Sequence, residues 1–351
     1  MGTTDPCFEG PYFQSSYAAE HVAAAQRLAA AGAAYYCDCT RDDVVARTGE
    51  GNLGYDRHCR SRGLEAAEGR ALRFRVPEGH TVVDDRVRGT VEFDNDLIED
   101  FVLLRGNGSP MFLLANVVDD LQMGVTLVVR AEEHLPNTPK QQMIWEALGE
   151  TAPEWAHVPV LVNEQRKKLS KRKDPVATEM YRDEGYLPEA FVNYLALLGW
   201  SPRGEAEKVP VGELIRDFRL EDVSHSPAFF DVKKLQAMNG EYIRAMDLDT
   251  FISLSLAWVH PTKGEWQSSV IPPWPREVFD LERYRAIAPL VQERIARMNE
   301  IVPMIDFLFL DDAPMDNAAF AKVIGTDNIA RTIILELADE FASANWTKDA
   351  L

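Results

Sequence analysis

A multidomain α/β protein with a mostly helical second half is what the sequence predicts, on three observations. From Met111 onward apolar runs (MFLLANVV, GVTLVVR, HVPVLV) alternate with a helical window, TPKQQMIWEALG, as βαβ units do. Residues 33–110 read as short alternating stretches punctuated by Pro, Gly and Asn-Gly, the pattern of a strand-rich subdomain. From about Asp247 to the end the chain reads as helices joined by Pro-rich loops such as HPTKGEWQSSVIPPWPRE. A length of 351 residues asks for two or three domains at roughly 100–200 residues each. Apolar content of 46% and charged content of 26% exclude a disordered or fibrous chain.

Each element has its own reason. Residues 17–31, YAAEHVAAAQRLAAA, are rich in the best helix former and run into Gly32, where a left-handed stop belongs. The next stretch, 33–62, is turn-rich and holds three of the four cysteines. Downstream, MFLLANVV is expected as a buried strand of a parallel α/β sheet, with GVTLVVR and HVPVLV beside it. In LPEAFVNYLALLGW, Pro188 suits the first helical turn, and Phe191, Tyr194, Leu195 and Leu198 share a face. No repeat with a period of about 20–50 residues is present.

Charge limits the partners. Lys+Arg 37 against Asp+Glu 56 gives a net charge of -19, so the surface as a whole repels polyanions, and any nucleic-acid contact must be a local basic patch. The start MGTTDPCFEGPYF lacks a basic segment followed by an apolar one. No apolar stretch approaches the roughly 18 residues of a membrane span, and Asp119 and Asp120 cut the best candidate short. A cytoplasmic protein without membrane contact is expected. In that reducing compartment Cys7, Cys37, Cys39 and Cys59, all within the first 59 residues, suit a metal or catalysis better than disulfides.

Three constellations carry chemistry. Cys37-x-Cys39, then Tyr55 and, with His58 beside it, Cys59 offer three thiolates and a fourth donor, enough for a tetrahedral zinc site of structural type; three reduced cysteines in an ordinary turn give the same spacing. The run Arg166 to Lys173, RKKLSKRK, sets six cations around Ser170 and suits a triphosphate whose charge develops during transfer; a solvated basic loop reads the same way. Asn116-x-x-Asp119-Asp120 and Arg130-Ala131-Glu132-Glu133-His134 are expected at strand ends, where a guanidinium can pair with a carboxylate substrate. A helix cap and a surface Arg-Glu pair explain that third pattern equally well.

In their order these segments resemble the glutamyl-tRNA synthetases, class I aminoacyl-tRNA ligases. The segments are GPYFQS, AAYYCDCT, YDRHCR, VRGTVEF, LANVVDD, VVRAEEHLPNTPKQQ, HVPVLV, KKLSKRK, EGYLPEAFVNYLALLGWS, FFDVKKLQAMNGEYIR and IDFLFL. The resemblance implies a partial Rossmann-type nucleotide-binding domain with a strand-rich, zinc-bearing insertion, followed by mostly helical stem-contact and anticodon-binding domains. Its boundaries would be 1–9 for a remnant of the first Rossmann half and 10–110 for the acceptor-stem-binding insertion. Residues 111–165 would be the second Rossmann half, 166–246 the KMSKS-type loop and stem-contact domain, and 247–351 an incomplete anticodon-binding domain.

By the same resemblance the chain joins glutamate to tRNA(Glu), using ATP with Mg²⁺ by way of glutamyl-adenylate, and acts as a monomer. KLSKR matches the KMSKS loop, so Lys168, Ser170 and Lys171 are the catalytic candidates, with Lys168, Lys171 and Arg172 on ATP and Lys171 on the leaving pyrophosphate. Phe112, Asn116, Arg130 and Glu133 would line the glutamate pocket, and Cys37, Cys39, Tyr55 and Cys59 would hold Zn²⁺. Phe112 stands where the family has a tyrosine, and Tyr17 where an arginine follows QS. Only MGTTDPCFE precedes Gly10, so the family's HIGH turn is expected to be missing and the chain to be truncated at both ends. Two other readings compete: a non-catalytic relative that binds tRNA acceptor stems, and a shorter relative that glutamylates a tRNA base, against which the helical region after Asp247 argues.

Overall fold

The computed structural model describes residues 8–49, 54–170, 177–202, 207–261, 270–312, 317–325 and 328–343. The chain divides into two compact units. The first comprises Met1–Leu169 and Leu195–Asp231, the second Ser170–Tyr194 and Val232–Leu351.

The first unit opens with α1 (Ala18–Ala30), whose buried His21, Ala24, Ala25 and Leu28 repeat at helical spacing. Strand β1 (Ala34–Cys37) follows, then α2 (Arg41–Thr48), which starts on a reciprocal cap: Thr40 Oγ1 accepts the Asp43 N–H while Asp43 accepts the Thr40 N–H. Strands β2 (Ala71–Phe74), β3 (His80–Asp85), β4 (Gly89–Asp94) and β5 (Val102–Leu104) complete the strand-rich region. Three of these strands form an antiparallel sheet in the order β1-β2-β5.

Next come α3 (Phe112–Gln122), β6 (Leu127–Ala131), α4 (Thr138–Ala147) and β7 (Glu154–Val158). Here the expectation for MFLLANVV needs correcting, because it is helix rather than strand. An eight-residue apolar run does not by itself distinguish a buried strand from a helix. Its buried residues, Leu114, Ala115, Val117 and Val118, follow the helical period. Asn116, Asp119 and Asp120 therefore stand on α3, not at a strand end.

The βαβ expectation does describe β6-α4-β7, whose strands pair in parallel. They belong to a four-stranded sheet in the order β4-β3-β7-β6, so this sheet reaches back across residue 110 to the β3/β4 hairpin. A core including Leu28, Leu72, Phe74, Leu103, Leu114 and Ile144 joins α1, α3 and α4 to the antiparallel sheet. Beyond β7 the chain forms β8 (Leu161–Val162).

In the second unit α5 (Thr178–Glu184) ends on Gly185, whose φ of 88° suits glycine. A side chain there is also barred by space, since an added Cβ would lie 2.5 Å from the Met298 nitrogen. Helix α6 (Pro188–Leu197), whose last three residues belong to the first unit, begins with its proline, as expected. After α7 (Val211–Asp217) and β9 (Ala228–Phe229), both in the first unit, come α8 (Val232–Ala245), α9 (Leu248–Val259) and α10 (Leu281–Arg294). Their core includes Ile243, Phe251, Tyr284, Val291, Ile301 and Phe309. No described helix is long and apolar enough to cross a membrane.

Candidate active site

The parallel register of β6 and β7 pairs Arg130 with His157 near the carboxyl ends of both strands, where open α/β sheets bind their ligands. Their side chains meet: Arg130 Nε donates to His157 Nε2 at 3.1 Å. Arg130 Nη2 donates to Thr138 Oγ1, the first residue of α4, at 2.8 Å, and the guanidinium carbon lies 5.3 Å from the centre of the Trp155 ring. Among the described residues Nη1 has no protein partner. Burial works against the arginine charge and lowers its pKa, while Asp120 and Asp85 oppose that effect.

Behind His157 stands Asp85, at the end of β3. Period-two alternation buries Thr81, Val83 and Asp85 together, so a carboxylate points into the apolar side of the strand. It is not left unpaired. Its Oδ1 accepts the backbone N–H groups of Val87, Arg88 and His157 at 3.0, 2.8 and 3.1 Å, and its Oδ2 lies 2.5 Å from His157 Nδ1. Burial favours the neutral acid, but these donors outweigh it and hold the Asp85 pKa below the ordinary value. Burial also lowers the His157 pKa.

Phe112 and Asn116 lie one helical turn apart on α3. Phe112 is exposed, with its ring 6.5 Å from that of His134. The buried Gln141 of α4 donates its side-chain amide to Asn116 Oδ1, which leaves the Asn116 NH₂ as its remaining donor. On the same helix Asp119 is buried and turned away, receiving Gln14 at 3.1 Å and meeting His21 Nε2 at 2.6 Å. Burial raises the Asp120 pKa to about 6 despite the Arg130 charge, with Asp119 adding to the rise. Glu133 sits in the 3₁₀ turn after β6 (Glu132–Asn137) and pairs with Lys168.

The basic run starts on a hairpin. Leu169 N donates to Leu161 O at 3.0 Å, and Asn163 N donates to Lys167 O at 2.9 Å. Between them Asn163 Oδ1 accepts the N–H groups of Gln165 and Lys167. Arg166 takes a left-handed φ of 56° at the turn. Lys168 and Ser170 are described, whereas Lys171, Arg172 and Lys173 lie outside the described residues.

The cysteine cluster forms as the spacing suggests. The sulfurs of Cys37, Cys39 and Cys59 all lie within 4.8 Å of one another, unbridged, with Cys39 and Cys59 at 3.4 Å. Tyr55 Oη is 3.4 Å from Cys37 Sγ and accepts the Cys59 N–H at 2.8 Å. Arg47 and Arg62 donate to the sulfurs of Cys39 and Cys59 at 3.4 and 3.2 Å, and the Arg73 guanidinium covers the Tyr55 ring. Burial opposes ionisation of Cys37, but hydrogen bonds from Tyr55 and Arg73 lower its pKa below the ordinary value. His58 is exposed and outside the cluster, and Cys7 lies outside the described residues.

Asp85, Thr138, Gln141 and His157 escaped the sequence reading. The alternation of β3 was a usable signal for Asp85, as was a histidine inside the apolar run HVPVLV.

Comparison with known proteins places this arrangement. The catalytic domain of "tRNA synthetases class I (E and Q)" matches residues 3–237, and an "anticodon binding domain" matches residues 256–351, so these two domains define a class I tRNA synthetase. The chain is 54% identical over 350 residues to a glutamate–tRNA ligase of Thermobifida fusca, covering 99% of this chain and 72% of that protein. It is 56% identical over 353 residues to one of Salinispora tropica, covering 100% of this chain and 74% of the other. A crystal structure of a glutamate tRNA ligase from Elizabethkingia meningosepticum in complex with its amino acid superposes with a TM-score of 0.73 at 26% identity, over 98% of this chain and 74% of that one. The chain belongs to the glutamate–tRNA ligase family.

Proposed function

We propose that the chain joins glutamate to tRNA at the expense of ATP. In the first step a glutamate α-carboxylate oxygen attacks the α-phosphorus of ATP and pyrophosphate leaves. In the second a hydroxyl of the terminal tRNA ribose attacks the acyl carbon and AMP leaves. The observation that carries the reading is Arg130, a guanidinium at the carboxyl ends of two parallel strands with Nη1 unpaired among the described residues. It supplies a donor edge for a carboxylate.

Asn116, Phe112 and Glu133 complete the glutamate pocket in this reading, with the Asn116 NH₂ as a second donor. Lys168, with Ser170, Lys171 and Arg172, meets the phosphates, and Mg²⁺ would accompany ATP. Lys168 is paired with Glu133, which ties the start of the basic loop to the turn after β6. Residues 111–165 serve as the second half of a Rossmann-type domain, 10–110 as the acceptor-stem insertion, and 247–351 as the anticodon-binding region.

Cys37, Cys39 and Cys59, with Tyr55 as fourth donor, would hold a structural Zn²⁺. Three unbridged thiols in one cluster, with arginines donating to two of the sulfurs, fit a thiolate metal site and its outer shell. The test of the whole reading is tRNA charging with labelled glutamate. Glutamate but not aspartate is expected on tRNA(Glu), and absence of glutamate-dependent charging overturns it.

A further inference from the structure

We infer that His157, held by Asp85, is a positioning residue for glutamate recognition, fixing Arg130 while leaving its positive charge to the substrate. The inference rests on the proposed role of Arg130 in holding a glutamate carboxylate. Three neighbouring strands, β3, β7 and β6, contribute Asp85, His157 and Arg130 in that order, and the three side chains join in one row.

The row fixes its own protons. Arg130 Nε is always a donor, so His157 Nε2, 3.1 Å away, must accept. The imidazole proton then sits on Nδ1 and is donated to Asp85 Oδ2. Asp85 is barred from rotating by the three backbone N–H groups on its other oxygen. His157 is fully buried, and Thr138 Oγ1 closes the remaining side, 3.0 Å from His157 Nε2 and 2.8 Å from Arg130 Nη2.

Two consequences follow for the ligand. With Nε occupied, the guanidinium cannot present its Nε/Nη2 side, and a carboxylate must dock on the end that carries Nη1. A carboxylate in the place of His157 would hold Arg130 as firmly but would neutralise it at contact distance. The neutral imidazole supplies the hydrogen bond and keeps the Asp85 carboxylate one residue further away. The arrangement therefore orients a cation that remains available.

The test uses the full chain and compares glutamate and ATP dissociation constants, measured by calorimetry, with thermal melting as a control. Arg130→Gln tests the underlying reading, and unchanged glutamate affinity there removes the pocket assignment itself. Given an effect of Arg130→Gln, His157→Phe is expected to weaken glutamate binding by about tenfold with ATP affinity within about twofold. His157→Gln, whose amide can accept from Arg130 and donate to Asp85, is expected to recover most of the loss. Undiminished glutamate binding in folded His157→Phe, or equal losses for glutamate and ATP, overturns the inference. Should His157→Phe fail to fold, the isosteric Asp85→Asn carries the test, with about threefold weaker glutamate binding expected and unchanged binding overturning it.

Discussion

Lys168 at the start of the basic loop is ion-paired with Glu133 in the turn that follows β6. The pair joins two segments 35 positions apart, and both side chains are well exposed. An exposed pair contributes little stability, so its significance is the place where it holds the lysine. Glu133→Gln is expected to change stability by less than about 1 kcal/mol. It should nevertheless slow glutamate charging by roughly three- to tenfold, because the lysine no longer rests beside the proposed pocket. Urea unfolding and steady-state charging on the same preparation check both halves.

The cysteine cluster gives a prediction on metal content. Protein purified without chelator should carry about one zinc per chain, and Cys37→Ser with Cys59→Ser should carry close to none. Loss of the metal should increase proteolytic nicking in residues 33–62, because a structural site supplies folding free energy where the local core is small. Atomic absorption and limited proteolysis are the measurements.

Asp120 makes the stability depend on pH. Its folded pKa is about 6, above the unfolded carboxylate value, because burial disfavours the charge. The native state then holds the proton more tightly, so the ionised group costs stability above about pH 6 and the cost disappears as pH falls through about 4. Asp120→Asn is expected to be more stable than the parent at pH 7.5 by about 1 kcal/mol, a figure reduced for partial solvent screening, and to match it near pH 4. Melting curves at the two pH values test the sign.

Gln141, itself buried, holds Asn116 by a hydrogen bond and touches no ligand in the proposed pocket. Gln141→Leu keeps the volume but frees the asparagine amide to turn. Loss of one oriented donor, about 1 kcal/mol, corresponds to roughly a fivefold rise in the glutamate KM, with the ATP KM unchanged.

Within the helical unit Tyr284 donates to Ser255 Oγ at 2.6 Å, both side chains being fully buried. Ser255 also donates to Ile252 O at 2.8 Å, so it keeps a partner when the phenol is removed. Tyr284→Phe should therefore destabilise by only about 1 kcal/mol in chemical unfolding.

Much of this was legible in the amino-acid order, for reasons that differ by element. Alanine density and Gly32 fixed α1, and the C-x-C followed by Y-x-x-x-C brought the right three sulfurs together. In MFLLANVV the length of the apolar run suggests a strand and masks the helical period. Phe112, Asn116 and Asp120, at helical spacing along one side of the segment, carried the correct answer. Arg130 stood out as a cation at a strand end, but its support did not. Asp85 and His157 are 72 residues apart, and only the pairing of β3 with β7 brings them together. A parallel partner at that separation leaves no local mark in the sequence.

That pairing also sets the order of assembly. The β3/β4 hairpin can close as soon as it leaves the ribosome, yet its side neighbour β7 is made some 60 residues later. Until then the buried carboxylate of Asp85 has no imidazole to receive it, and the hairpin exposes an unpaired edge. Nascent chains stalled between β4 and β7 should be the forms most dependent on chaperones, with the Asp85–His157–Arg130 row closing only when β7 has been synthesised.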